Sequence, residues 1–190
     1  MKHEEFHAFS NKKFDDYSEK KREEAIKAFG CEIAENANDL TSGELKGFIE
    51  EKMGEYFDKY YVKEVKIKEK EIKKEESEKD IIIYVPYDGN VEMLRLKPSV
   101  SSDETLKVFL NEKEIGVKVK DLASKTKEEI SEGTDKIVEE LKKNLDSLKK
   151  DIEECNKELK KGLKDEAEKI KKRIEKDKEK LKEIKEIIKK

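Results

Sequence analysis

Between about residues 124 and 188 the chain repeats an apolar residue every three or four positions: Ile137, Leu141, Leu145, Leu148, Ile152, Cys155, Leu159, Leu163, Ala167, Ile170 and Ile174. Ten steps cover 37 residues, a mean of 3.7, which is a helical period. A strict heptad averages about 3.5 and forces a left-handed supercoil, whereas a mean near 3.67 favours straight or slightly right-handed packing. The segment therefore reads as a coiled-coil-like arm and not as a clean leucine zipper. Gly162, within "KELKKGLKDE", is the point where the arm would kink or reverse, so one helix and a hairpin both stay open. A single helix of sixty-odd residues would extend about 90 Å. So narrow a stripe must be buried against the arm folded back on itself, another copy, or a partner, and another copy is favoured. Ile137, Leu141, Leu145, Leu148, Ile152, Leu159, Leu163, Ile170 and Ile174 form the expected interaction seam.

The arm also accounts for the composition. Charged residues make up 49% of the 190 and hydrophobic ones only 34%, too few to wrap a thick core around the whole chain. Long half-exposed helices need only a narrow stripe and tolerate this balance. Net charge is −5 over residues 1–60, 0 over 61–125 and +2 over 126–190. Charge this interleaved describes a solvated surface more than a nucleic-acid footprint. Only from Asn156 onward do basic groups lead, 15 against 9 acidic. Nucleic-acid contact by that end of the arm is the alternative reading, opposed by acids that would repel phosphates.

Ahead of the arm lie two regions. "DDYSEKKREEAIKAFGCEIAEN" places Tyr17, Ala25, Ala28, Phe29 and Ile33 on one helical face, with Gly30 as a weak point. "NDLTSGE" breaks that helix, and Thr41 with Glu44 forms a T-x-x-E capping box. Leu45, Phe48, Ile49, Met53, Tyr56, Phe57 and Tyr60 follow at helical spacing, a core face. From residue 61 the period changes to two. "YYVKEVKIKEKEIKK" alternates as a half-wet strand, and "DIIIYVPY" is apolar enough to be central. "DGN" turns the chain into "VEMLRLKP", so that these runs make a hairpin. "TLKVFLNEKEIGVKVKD" offers a second hairpin around Asn111–Lys113, with Pro86 and Pro98 at strand ends. The expected class is α+β: N-terminal helices, with the one at 42–60 capping a small antiparallel sheet of four or five strands, then the long arm. The expected division is 1–122 (helices to about 60, strands 61–122) and 123–190.

Candidates for chemistry are few. "HEEFH" at residues 3–7 satisfies H-E-x-x-H, in which a helix projects His3 and His7 onto one zinc ion while Glu4 activates water. These are the only two histidines, so a third ligand would be a carboxylate such as Glu23 or Glu24. The motif also starts two residues from the chain start, where backbones fray. An amphipathic start that docks Phe6 and Phe9 on the core is the preferred reading, without metal. Ser99, Ser101 and Ser102 have no histidine to activate them, and "DGN" at 88–90 lacks the other ligands of a calcium loop. No nucleophile–base pair or phosphate-binding glycine loop is present, so no enzyme activity and no cofactor are expected. Cys31 and Cys155 lack metal-ligand spacing and read as reduced, buried small hydrophobes. No apolar run approaches the length of a membrane span, and the N-terminus lacks the apolar core of a signal peptide. A cytoplasmic, prokaryote-like protein without a membrane partner is expected.

The order of segments resembles a set of uncharacterised prokaryotic defence- and restriction-associated proteins. The likeness is carried by Pro86, Gly89, Leu94, Pro98 and Ser99, a "P-x-x-G…L…P-S" pattern in the β segment. It continues with Asp151, Ile152, Asn156 and Leu159 in the long helix, and Arg173 beyond them. It covers roughly residues 40–185. In such proteins a nuclease-like or signalling effector domain often follows, and this sequence ends where one would begin. The resemblance implies a defence or restriction setting. The residues imply assembly: a scaffold that forms a homo-oligomer or docks a protein effector.

Overall fold

The computed structural model describes residues 5–10, 12–37, 40–76, 80–101, 106–111, 113–119 and 126–188. Its class is α+β, with two helices in the first third, a small antiparallel sheet, and one long C-terminal helix. The elements are β1 (Glu5–His7), α1 (Phe14–Asn36), α2 (Ser42–Tyr60), β2 (Lys66–Ile67), β3 (Lys73–Glu76), β4 (Ile81–Asp88), β5 (Lys107–Asn111), β6 (Glu114–Val119) and α3 (Lys127–Ile188). Two compact units share them. One comprises residues 1–17 and 63–153; the other comprises 18–62 and 154–190. The boundaries of these compact units fall inside α1 and α3, and α3 supplies core residues to both.

In the first unit the sheet has the order β1-β5-β6-β4-β2, with β3 also on β4, and every pairing between strands is antiparallel. β4 is central, as its apolar run requires: Ile81, Ile83 and Val85 are buried. Pro86 lies within this strand and not at its end. The Tyr87 amide donates to the Lys113 carbonyl on the β6 side. By the alternation of the strand, position 86 faces the other side, where the Lys68 amide, just past β2, donates to the Pro86 carbonyl at 2.7 Å. Proline keeps that acceptor and forgoes only the returning bond, at the end of the β2 pairing.

Three expectations change in this region. "VEMLRLKP" is not the second arm of a hairpin; Val91–Arg95 is a 3-10 turn. The Asn90 side chain accepts from the Glu92 amide and caps it, while Gly89 at φ 111° redirects the chain. A side chain at Gly89 would bring a Cβ to 2.1 Å from the Glu64 carbonyl oxygen, so only glycine fits. The run "YYVKEVKIKEKEIKK" is not one strand either, since a 3-10 turn at Glu69–Glu71 splits it into β2 and β3. At the start, Glu5–His7 is a strand against Lys107–Phe109. H-E-x-x-H needs a helix to aim both imidazoles at one ion, and the strand conformation at His7 removes that geometry; His3 and Glu4 lie outside the described residues. Phe9 is buried as expected.

The second unit is a three-helix bundle. α1 and α3 run in step, with Arg22 paired to Glu158 and Ile26 packed over Gly162. α2 returns in the opposite direction, its far end reaching Asn156 through Val62. Thr41 and Glu44 form the expected capping box, with the Thr41 amide 2.8 Å from the Glu44 carboxylate. The apolar face of α2 is packed within this bundle: Leu45 and Ile49 share one core with Ala25, Phe29, Ile33, Leu159, Leu163 and Ile170. Within this unit the face of α2 expected to be a core face is one, packed helix on helix.

Candidate interaction surface

α3 begins at a second capping box, in which the Thr126 amide donates to Glu129 and the Glu129 amide returns to the Thr126 hydroxyl. It then runs unbroken to Ile188. Gly162 is not a reversal. A Cβ there would lie 2.5 Å from Ile26 Cδ1, so the glycine admits α1 to close contact.

The expected seam is buried inside the chain. Leu141, Leu145, Leu148 and Ile152 are buried in the first unit, and Leu159, Leu163, Ile170 and Ile174 in the helical core of the second. Ile137 is half-buried. Folding already covers the side chains that were assigned to another copy, so their burial calls for no second copy.

Two polar clamps fix α3, one in each unit. The Asp151 carboxylate accepts from the Ser99 amide at 2.8 Å and from its hydroxyl at 2.5 Å, closing the loop after Pro98. Asn156, buried, accepts from the Val62 amide at 2.9 Å and donates to the Val62 carbonyl at 3.0 Å. Its side chain thereby stands in for a strand partner where α2 has ended and no helical bond remains. Ser99, Asp151 and Asn156 are three of the residues that carry the resemblance, and Gly89 and the fully buried Leu94 are two more. All five hold structure. Arg173, also among them, is exposed beside the groove between α1 and α3 lined by Glu23, Ile26, Cys31, Glu166 and Ile170. Cys31 is exposed, against expectation, because it sits on the side of α1 away from Phe29 and Ile33; Cys155 is buried, and burial pushes its thiol pKa up.

A titratable cluster in the bundle joins α1 to α2. Tyr56 donates to Glu32 at 2.7 Å, and Lys52 lies 3.0 Å from Glu32 and 2.7 Å from Glu55. The Tyr56 hydrogen bond, then Lys52, hold the Glu32 carboxyl below its usual range. The same bond pushes the Tyr56 phenol up to about 12. Each group stabilises its neighbour's resting state, which is the behaviour of a structural tie and not of a proton-transfer site. Among the described residues no group of three or more His, Cys, Asp or Glu side chains is placed to hold a metal ion.

What remains outward-facing is the end of α3. Past Ile174 the covering helices stop. Lys178 donates to the Leu40 carbonyl at 2.7 Å, between α1 and α2, and marks the edge of the cover. Beyond it Leu181 is 56% exposed, Ile184 50%, Ile187 73% and Ile188 78%. From Leu163 onward the positions 163, 167, 170, 174, 177, 181, 184 and 188 alternate steps of four and three, a strict heptad in which Asp177 is the only polar member. The covered seam and the exposed end are one continuous stripe. Averaging the spacing from Ile137 concealed this change of period; the signal was present in the last two turns.

No helix among the described residues is long and apolar enough to cross a membrane. No known family, curated protein or solved structure matches this chain.

Proposed function

We propose that this chain is a non-enzymatic interaction module that binds a protein effector through the exposed end of α3. The setting proposed for it is the prokaryotic defence or restriction system that its segment order implies. The observation that carries the proposal is the stripe that outruns its cover. Of the large side chains exposed among the described residues, Leu181, Ile184, Ile187 and Ile188 stand together on one helix end, while Tyr61 and Val100 lie elsewhere in the sequence. Scattered exposed hydrophobics are ordinary; a contiguous row on a helix otherwise buried along the same stripe reads as a docking surface.

The test places a photo-cross-linking residue at Ile184 and, as a control, at exposed Glu153, in cells that express the whole protein. A protein adduct specific to position 184 is expected. Purified, that protein should form a stoichiometric complex with this chain, lost on Leu181→Ala with Ile184→Ala. No adduct specific to position 184, or a nucleic-acid adduct there, would overturn the proposal; the second result would favour the nucleic-acid reading.

A further inference from the structure

We infer that the occupant of the exposed α3 end is an acidic amphipathic helix of another protein, and not a second copy of this chain; the inference rests on the docking role proposed above. The charge arrangement around the stripe carries it. At about 100° of rotation per residue, Leu181, Ile184 and Ile188 share one narrow arc of the helix. Lys185 flanks that arc on one side and Lys180 on the other, while Glu179, Glu183 and Glu186, with Lys182, fall away from it. All of these are exposed. Lysines thus border the apolar row on both sides; from Lys178 onward no acid lies on the row, and Asp177 stands on it one turn before Leu181.

In heptad terms, with Leu181 at position a and Ile184 at d, Lys180 is at g and Lys185 at e. These flanking positions set the choice of partner between paired helices. A parallel second copy would set Lys180 against the other copy's Lys185. An antiparallel one would set Lys180 against Lys180 and Lys185 against Lys185. Both arrangements juxtapose like charges, which suppresses pairing. A helix with glutamate or aspartate at its own e and g positions would meet opposite charge on both flanks.

The same apolar row with lysine borders is also seen in helices that lie on anionic lipid. Two features favour a helical partner. The face opposite the row is acidic, and the row holds only aliphatic side chains, without the aromatic anchors common in interfacial helices. The row also continues the heptad that already packs helix on helix between Leu163 and Ile174. A partner helix there would prolong the bundle where α1 and α2 stop.

The experiment uses the whole chain and two labelled three-heptad peptides with leucine at a and d, one with glutamate at e and g, the other with lysine. Fluorescence anisotropy should show the glutamate peptide bound at least about tenfold more tightly than the lysine peptide, about 1.4 kcal/mol. The preference should shrink as salt rises. Lys180→Glu with Lys185→Glu should invert it, and Leu181→Ala with Ile184→Ala should abolish binding of both peptides. Equal affinity for both peptides would overturn the inference. So would dimerisation of the chain that Leu181→Ala with Ile184→Ala abolishes, or binding to phosphatidylserine vesicles with neither peptide bound. If position 184 still cross-links to a protein while the peptides show no charge preference, only the partner's chemistry is wrong. If no protein adduct forms, the docking role itself fails.

Discussion

Replacing Asn156 with leucine keeps the branching and heavy-atom count of the side chain and removes both hydrogen bonds to Val62. The Val62 amide and carbonyl would then be left unpaired in a position that is 2% exposed. Each buried backbone group without a partner costs about 1–3 kcal/mol, so the pair together costs about 2–6 kcal/mol. That is a large share of a domain stability of about 5–15 kcal/mol. With a urea m-value of about 2 kcal/mol/M, the unfolding midpoint should fall by about 1–3 M. Lys157→Leu, one residue on and exposed, should stay within about 0.5 kcal/mol of the parent. Asn156→Asp sharpens the test. A protonated carboxyl can accept from the Val62 amide and donate to its carbonyl, whereas a carboxylate can only accept. The aspartate's folded pKa should therefore rise above its unfolded value of about 3.9. Its contribution would be fully present below that value and lost as pH rises through the folded pKa. Measured against the parent at each pH, the deficit of Asn156→Asp should be smaller at low pH than at neutral pH. A midpoint for Asn156→Leu within error of the parent would refute the clamp.

Three further outcomes follow from single contacts. Gly89→Ala should cost more than about 2 kcal/mol, since it combines left-handed backbone with a clash on a backbone oxygen; circular dichroism during urea unfolding would read it. Gly162→Ala sets a gain of about 1 kcal/mol in helix propensity against contact with the far end of Ile26. The alanine should be more stabilising in an Ile26→Val background than in the parent, as a double-mutant cycle would register. Tyr56 has its folded pKa raised to about 12 from 10.0, so its stabilisation is present below about pH 10 and lost as pH rises through 12. Glu32, held low, contributes above its usual range and loses that contribution as pH falls through it. Tyr56→Phe should flatten both limbs of the midpoint-against-pH curve.

Helix existence was legible because periodicity is a local property. α1, α2 and α3 each show apolar residues at helical spacing, and Thr41 with Glu44 announced a boundary that the structure reproduces. The central strand and the β5–β6 hairpin were legible for the same reason. The turn at Val91–Arg95 was not. Val91, Met93, Leu94 and Leu96 fit an alternating strand about as well as a turn, and the decision came from Gly89, whose close approach to Glu64 is a tertiary contact. What covers a stripe was also beyond reach, because spacing shows that a face is apolar and not what lies against it. Hence Leu141 to Ile174 read as a seam for another copy, while the chain covers them itself. Gly162 read as a weak point for the corresponding reason: a glycine that admits a neighbouring helix and one that breaks a helix look alike without the neighbour.

The central claim is that the α3 stripe is covered up to Ile174 and open beyond it. The most direct measurement is the urea unfolding midpoint of Leu181→Ala with Ile184→Ala and Ile188→Ala, set beside that of Leu159→Ala with Leu163→Ala. Truncating a buried leucine to alanine costs about 2–5 kcal/mol, so the inner pair should unfold at much lower urea or fail to fold. The outer triple replaces exposed side chains with a strong helix former, and its midpoint should stay within about 0.5 kcal/mol of the parent. A clear loss of stability in the outer triple would contradict the claim, because it would mean that the folded chain already buries the end of α3.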